Sequence, residues 1–152
     1  PEISKAIYST LSGAPHYYRI QSKEDFDFYS GILAAKIGDC PLESKFSFAV
    51  LDSDFHLIYL ADGENFKWTP WYEKYGKQWY WNGPEIGQNF ASSKVFKAGT
   101  YYIKVFNDTN IGQYILAVGD IEKFSLTDIV GLIFSMGKIE NEYWDSSQCN
   151  NN

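Results

Sequence analysis

Apolar and polar residues alternate in short stretches along most of this chain, and this pattern limits its fold more than any other feature. Successive side chains of a β-strand point to opposite faces, so such alternation predicts strands with one buried face. Seven or eight stretches separated by turn residues favour packed antiparallel sheets over alternating strands and helices. We therefore predict an all-β fold, an antiparallel jelly-roll-like β-sandwich of seven or eight strands with one C-terminal α-helix.

The predicted strands also suggest which neighbours pair. We expect residues 6–11 and 17–21 to form a first hairpin around the turn at 12–15, and residues 46–50 and 55–60 to form a second. A long strand covers 26–37, and further strands cover 90–96, 100–106 and 113–118. The last two are expected to pair antiparallel, with turns at Gly99 and Gly112 and these alternate residues facing the core: Tyr101, Ile103, Val105, Tyr114, Leu116 and Val118.

Near the C-terminal end of the sequence the spacing of apolar residues changes from that of a strand to that of a helix. Ser125 and Asp128 resemble a helix-capping start, and apolar residues then recur at helical spacing, which predicts a helix within 125–144. Its apolar stripe needs a partner, which is the sandwich, another copy or a lipid surface. The opposite face of the helix is more acidic than basic, so we favour the sandwich or a protein neighbour over a membrane. We assign 1–124 to one β-sandwich domain and expect the polar tail 145–152 to be disordered.

Charge and hydropathy exclude several classes of function. The formal net charge of −6 opposes nucleic-acid binding, and Lys and Arg do not cluster. No run of 18 apolar residues occurs, so we expect no transmembrane segment.

Residues 61–87 lose the alternation and accumulate Gly, Pro, Asn and Trp, which predicts a long loop. Exposed Trp and Tyr rings can stack on the apolar faces of sugars or anchor a protein partner. The competing interpretation is that the loop folds back and uses its rings as a small core of its own. The candidate ligand-binding residues are Trp68, Trp71, Tyr72, Tyr75, Trp79, Tyr80 and Trp81.

Four carboxylates form the candidate metal site: Asp52, Asp54, Asp62 and Glu64. They flank one predicted strand and could supply oxygen ligands to Ca²⁺, which takes six to eight. A solvated acidic turn explains the same residues without a metal.

Two further sequence features concern modification. Cys40 and Cys149 could form one disulfide bond, although sequence alone does not show that their Cα atoms approach each other. Asn107 begins an Asn-Asp-Thr sequon, which would accept a glycan if the protein were eukaryotic and secreted.

Catalytic candidates are sparse. His16 and His56 lie in strand-like contexts and are better explained as strand residues than as general bases. Glu73 and Glu85 could act as the two carboxyl groups of a glycosidase, which would have to face each other across a cleft. We expect no enzymatic activity.

The segment G-T-Y-Y-I-K-V at 99–105, followed by G-Q-Y-I-L at 112–116, resembles the last two strands of pre-peptidase C-terminal-like domains. The D-F-D-F-Y segment at 25–29 is similar to the strand that begins the core of those domains. The chain also resembles uncharacterised microbial extracellular proteins with a Trp-rich insertion like W-Y-W-N-G-P-E at 79–85. The resemblance implies a jelly-roll module that is exported and has no catalytic residues.

These observations together predict a secreted or cell-surface module that binds a glycan or a protein through its aromatic loop. The first alternative is a structural subunit of an extracellular assembly or filament, which would bury its C-terminal helix or a sheet edge against copies of itself. The second alternative is a glycosidase-like enzyme.

Overall fold

The computed structural model describes residues 4–87, 94–119 and 125–128, which form two antiparallel β-sheets and contain no helix. Eleven strands make up the sheets: β1 (Ser4–Ser12), β2 (His16–Ser22), β3 (Phe26–Ala35), β4 (Ser47–Leu51), β5 (Leu57–Ala61), β6 (Thr69–Glu73), β7 (Gln78–Ile86), β8 (Lys94–Phe96), β9 (Gly99–Phe106), β10 (Ile111–Gly119) and β11 (Ser125–Asp128).

The first sheet, sheet A, has the strand order β1-β10-β3-β7-β6, and β8 pairs with the first part of β3. The second sheet, sheet B, has the order β11-β2-β9-β4-β5. Strands that follow each other in the chain often lie in different sheets.

One buried core contains side chains from both sheets. Alternate residues of each long strand face it, as the period of two requires. The largest fully buried side chains of this core in the described part of the chain are Tyr18, Tyr114, Phe26, Phe28, Phe46, Phe48, Ile7, Leu11, Ile20, Ile32 and Ile86. This arrangement is consistent with the predicted β-sandwich.

The alternation located many strands correctly. The structure confirms the long strand at β3, the β4–β5 hairpin, and strands at β9 and β10. Ile103 and Val105 of β9, and Tyr114 and Leu116 of β10, face the core as expected.

Two predicted pairings are wrong. β1 and β2 do not form a hairpin, because β1 pairs with β10 in sheet A and β2 pairs with β9 and β11 in sheet B. β9 and β10 are likewise not partners, since β9 lies between β2 and β4 while β10 lies between β1 and β3. Alternation shows which residues face a core, but it does not show which sheet a strand joins.

Two predictions about the second half of the chain also need correction. Residues 61–87 are not one long loop, because they contain the β6–β7 hairpin. The predicted helix start is wrong, since Ser125–Asp128 is strand β11 and pairs with β2. The remainder of the predicted helix and the tail 145–152 lie outside the described residues, as do residues 90–93 of the strand predicted at 90–96.

The part of the chain that the structure describes holds no helix with the length and hydropathy that crossing a membrane requires.

We expect Phe48→Ala to lower the free energy of unfolding by about 3–5 kcal/mol, because Phe48 is fully buried in the shared core and the change would leave a cavity. Phe55→Ala is the matched control, since Phe55 is 56% exposed and its ring stacks on Tyr102 at the surface, outside the shared core. Its effect should be under about 1 kcal/mol in urea denaturation. Equal losses for the two variants would contradict the described core.

Candidate ligand-binding hairpin

The β6–β7 hairpin has an ordered tip. The carboxylate of Glu73 accepts hydrogen bonds from the backbone N–H of Tyr75 (2.8 Å) and of Gly76. Lys77 adopts a left-handed backbone conformation with φ of 55°, which closes the turn. These contacts fix the tip before any ligand binds, so little conformational entropy remains to be lost on binding.

Trp68 anchors the hairpin to the core. Its ring is 8% exposed, and its indole Nε1 donates a 2.9 Å hydrogen bond to the carbonyl of Gly63. The backbone N–H of Gly63 donates in turn to Ser47 Oγ on β4 at 2.9 Å. A Cβ at Gly63 would overlap the carbonyl of Phe46, and a Cβ at Gly83 would overlap the Trp68 ring. Glycine is therefore needed at both positions by close packing.

The hairpin register divides the candidate aromatic residues between two faces. Tyr72 is the cross-strand partner of Trp79, and Trp71 is the partner of Tyr80. Adjacent positions on a strand point to opposite sides, so these two pairs lie on opposite faces of the hairpin. Trp81 shares a face with Trp79, is half-buried and packs against the core.

Three of the predicted ligand-binding rings are exposed to solvent: Tyr72 (40%), Trp79 (48%) and Tyr75 (97%). The rings of Tyr72 and Trp79 lie 5.2 Å apart between centroids and are tilted by 52°. We call Tyr72, Tyr75 and Trp79 the exposed aromatic group.

Lys36 places a cation beside the exposed aromatic group. Its Nζ lies 5.8 Å from the ring centroid of Trp79 and 5.6 Å from that of Trp81. Lys36 reaches this position because its backbone N–H bonds to the carbonyl of Trp79 at the end of the β3–β7 pairing. Sequence reasoning missed Lys36, since only that pairing brings it near the rings.

Trp71 and Tyr80 lie on the opposite face of the hairpin from Tyr72 and Trp79. Their ring centroids are 5.5 Å apart, and they pack with Tyr8, Leu33 and Ile115 on the face of sheet A that points away from the core. Tyr80 is buried and Trp71 is half-buried. These two predicted ligand-binding residues, like Trp68, therefore do not belong to the exposed surface.

A small cleft of about 180 Å³ lies where β3 and β7 shift register. Tyr29 donates a 2.5 Å hydrogen bond to Glu85 Oε2 there, and burial together with this carboxylate raises the pKa of Tyr29 far above its usual value. Asn82 also lines the cleft, and its Oδ1 is buried with no hydrogen-bond partner among the described residues. A bound water would satisfy this acceptor.

Asp52 organises the β4–β5 turn. Its Oδ1 accepts the backbone N–H groups of Asp54 and His56, each at 2.9 Å, and its Oδ2 lies 3.6 Å from His56 Nδ1. The hydrogen bond from the backbone N–H of His56 is the largest cause of the lowered Asp52 pKa. The hydrogen bond from the backbone N–H of Asp54 lowers this pKa further. Carboxylate oxygens of Asp52 and Asp54 and a ring nitrogen of His56 lie close enough to face one ion. Ca²⁺ prefers six to eight oxygen ligands, and this turn offers two carboxylates and an imidazole.

The other two candidate metal ligands lie in a second turn. Asp62 Oδ1 accepts the backbone N–H of Glu64 at 2.9 Å, and Asp62 Oδ2 accepts the side-chain amide of Asn65 at 2.7 Å. The hydrogen bond from Asn65 is the largest cause of the lowered Asp62 pKa, and the bond from Glu64 lowers it further. Asp62 and Glu64 do not join the cluster of Asp52, Asp54 and His56.

The structure does not bring the proposed glycosidase pair together. Glu73 pairs with Gln78 at the start of β7, and Glu85 lies seven residues further along that strand. At 3.2–3.4 Å per residue, the two positions are about 23 Å apart, against roughly 5–9.5 Å for paired catalytic carboxyl groups.

His16 contacts a serine in the folded protein, a contact that the sequence did not predict. Its Nδ1 lies 2.8 Å from Tyr114 Oη and 3.3 Å from Ser9 Oγ, and Tyr114 Oη is 2.5 Å from Tyr18 Oη. All four side chains are buried. This cluster satisfies polar groups within the protein and offers no exposed nucleophile.

The predicted modification sites involve Cys40, Cys149 and Asn107. Cys40 follows β3 and is disulfide-bonded, while Cys149 lies outside the described residues. Asn107 is buried, and its Nδ2, the atom that would carry a glycan, donates to the carbonyl of Ile111 at 2.9 Å. Its Oδ1 accepts the N–H of Ile111 at 3.2 Å. Asn107 thus stabilises the β9–β10 turn in the unmodified protein.

No protein-family model matches this chain, and no curated protein matches its sequence. The resemblance to pre-peptidase C-terminal-like domains therefore depends on the quoted motifs alone.

We expect Asp52→Ala to lower the melting temperature, because the change removes the acceptor for two backbone N–H groups in the β4–β5 turn. Since the Asp52 pKa is lowered in the folded state, its stabilisation is present above the unfolded pKa and is lost as the pH falls through the folded value. The wild-type melting temperature should therefore decline towards acidic pH more steeply than that of the variant.

The same two proteins test the metal site. We expect millimolar Ca²⁺ to leave both melting temperatures unchanged, because the turn is complete without an ion. A Ca²⁺-dependent rise in the wild-type protein that Asp52→Ala abolishes would contradict this expectation and identify a structural cation site.

Proposed function

We propose that this chain is a non-catalytic module, secreted or displayed at the cell surface, that binds a glycan through the exposed aromatic group. The observation that carries the proposal is that Tyr72, Tyr75 and Trp79 hold their rings in solvent on an ordered hairpin. Single exposed apolar residues are common on protein surfaces, but grouped aromatic residues mark binding surfaces.

The chemistry of the group suits a sugar. A pyranose presents an apolar face of C–H groups that can pack on the ring of Trp79, and Lys36 Nζ beside that ring can donate hydrogen bonds to hydroxyl groups. Because the Tyr72 and Trp79 rings are tilted by 52°, they form a bent surface and not a flat platform. A bent surface favours a curved or branched chain over a flat crystalline polymer.

A protein partner is the less favoured ligand for this surface. Stable protein interfaces cover roughly 800 Å² on each partner. Three exposed rings at the tip of one hairpin offer much less area than that, but enough for two or three sugar units.

Two further observations support the extracellular, non-catalytic parts of the proposal. Cys40 is disulfide-bonded, and such bonds persist mainly in oxidising compartments outside the cytosol. The wide separation of Glu73, at the end of β6, from Glu85, near the far end of β7, argues against the glycosidase alternative. The jelly-roll topology and the relationship to pre-peptidase C-terminal-like domains remain part of this proposal, supported by two antiparallel sheets with a shared core.

The structural-subunit alternative is favoured by a different observation, the apolar edge of sheet B at β5. The strand is exposed at Leu57, Ile58 and Leu60. The two functions are compatible, because β5 and the exposed aromatic group are separate surfaces.

We expect the double variant Tyr72→Ala/Trp79→Ala to lose affinity for its glycan by about tenfold or more, since two stacking rings are removed. The ligand is first identified on an array of soluble oligosaccharides built from hexoses, N-acetylhexosamines and uronic acids. Affinity is then measured by the change in tryptophan fluorescence and by calorimetry.

Phe55→Ala is the control for this experiment, because Phe55 is also an exposed ring but lies at the β4–β5 turn. It should bind as tightly as the wild-type protein. If no oligosaccharide on the array binds the wild-type protein, this result would contradict glycan binding. A glycan that binds the double variant and the wild type equally would contradict the assignment of the surface.

A further inference from the structure

The face of sheet A that points away from the core is covered. Tyr8 of β1, Ile115 of β10 and Leu33 of β3 lie side by side on this face, since each pairs with the next across the sheet. Their exposed fractions are 1%, 1% and 6%. A sheet face without a second layer stays open to water, so such low values require a layer above these side chains. The values describe one chain by itself, so the covering atoms belong to this chain.

The covered surface crosses the whole sheet and is apolar. Tyr80 of β7 is 8% exposed, and Trp71 of β6 is half-buried beside it. Ala6 and Ala117 pair with each other and form a neighbouring row of small residues. Small side chains beside large ones leave a shallow groove into which another element can pack. We call five side chains the outer face: Tyr8, Leu33, Trp71, Tyr80 and Ile115.

The described residues do not supply this cover. Every described apolar residue that packs on the outer face comes from a strand of sheet A itself. An apolar cover must therefore come from the rest of the chain, which consists of residues 1–3, 88–93, 120–124 and 129–152.

Three of these four segments are too short or wrongly placed. Residues 88–93 lead to β8, which pairs with the end of β3 that is remote from Leu33. Residues 120–124 connect sheet A to sheet B, and this connection uses most of their length because packed sheets lie about 10 Å apart. Residues 1–3 are too few to cover five strands. Only the C-terminal residues remain.

Residues 129–152 begin in the right place and are long enough. They follow β11, which pairs with β2, and the turn at 13–15 joins β2 to β1 at the border of the outer face. The five strands of sheet A span roughly 19 Å, and residues 129–144 would extend about 24 Å as a helix. Apolar residues at helical spacing supply the matching surface: Ile129, Val130, Ile133 and Met136.

A disulfide bond attaches the far end of this segment. The chain has two cysteines, no free cysteine is present, and Cys40 is disulfide-bonded, so its partner is Cys149. Cys40 lies shortly after Ala35, the last residue of β3, and Ala35 packs against the outer face. The C-terminal residues therefore return to the border of the surface that needs a cover.

We infer that residues 129–144 dock with their apolar stripe on the outer face of sheet A, and that the Cys40–Cys149 bond holds them there. The docked segment forms a third layer on the two sheets. It also supports the β6–β7 hairpin from the side opposite to Tyr72 and Trp79, since the hairpin contributes two of the five side chains of the outer face. The inference does not depend on glycan binding.

The first test uses the unaltered sequence. Met136 is the only methionine in the chain, so incorporation of photo-methionine places one light-activated cross-linker within the apolar stripe. Irradiation of the full chain should link position 136 to outer-face residues of β1, β10, β3 or β7, as mapped by mass spectrometry. Links to sheet B, links only between separate chains, or no link to protein would overturn the inference.

The second test removes the cover. The double variant Val130→Asp/Ile133→Asp places two carboxylates in the apolar stripe, and Lys138→Asp is the matched control on its polar side. Hydroxyl-radical footprinting of the full chain measures the exposure of single side chains. In the wild-type protein and the control, Tyr8 should be oxidised about tenfold more slowly than Tyr75, which is 97% exposed.

In the double variant, the oxidation rate of Tyr8 should approach that of Tyr75, while Tyr114 in the core stays protected. Fast oxidation of Tyr8 in the wild-type protein, or its continued protection in the double variant, would contradict the docking. Should Tyr114 also lose its protection, the variant has unfolded and the cross-linking result decides.

Peptide mapping without reductant tests the attachment. Trypsin should release the peptide 37–45, which contains Cys40, linked to the peptide that follows Lys138 and contains Cys149. Reduction should then speed the oxidation of Tyr8, because the docked segment loses its covalent hold. A free Cys40 thiol, or a bond from Cys40 to another chain, would show that the attachment is wrong.

Discussion

Burial of one face of each sheet against the other is the constraint on which this molecule depends. Phe28 and Ile32 from sheet A meet Phe48 and Ile103 from sheet B in one core, and each is fully or almost fully buried. The energy of this contact comes from apolar area removed from water, and close packing restricts the positions of the strands. The opposite faces and the sheet edges are then available for other roles.

The hairpin is connected to this core by Trp68 and two glycines. Because Trp68 packs on Gly83 and bonds to the carbonyl of Gly63, the β6–β7 hairpin begins from a fixed point of the body. The Glu73 carboxylate then orders the opposite end of the hairpin. Rings held in this way can meet a ligand without first being ordered, which is the physical basis of the proposed binding function.

The sequence predicted the strands better than their partners. Alternation located β3, β9 and β10 because each has one buried face, yet it could not show that β9 and β10 join different sheets. The β6–β7 hairpin was missed because aromatic residues occupy both of its faces, which hides the period of two. Strand β11 was missed because four residues are too few to distinguish a strand from the start of a helix. The exposed aromatic group was predicted by residue type, whereas its separation from Trp68, Trp71, Tyr80 and Trp81 required the hairpin register.

Amide hydrogen exchange across residues 61–87 tests the central claim most directly, namely that this aromatic-rich segment is a folded hairpin fixed to the core. The account predicts that the paired amides of Trp71 and Tyr80 exchange slowly, within reach of those of core strands β3 and β9, while Tyr75 at the exposed tip exchanges faster. Rapid and uniform exchange throughout 69–82 would contradict the account, because it would show an unfixed loop that cannot hold Tyr72 and Trp79 ready for a ligand.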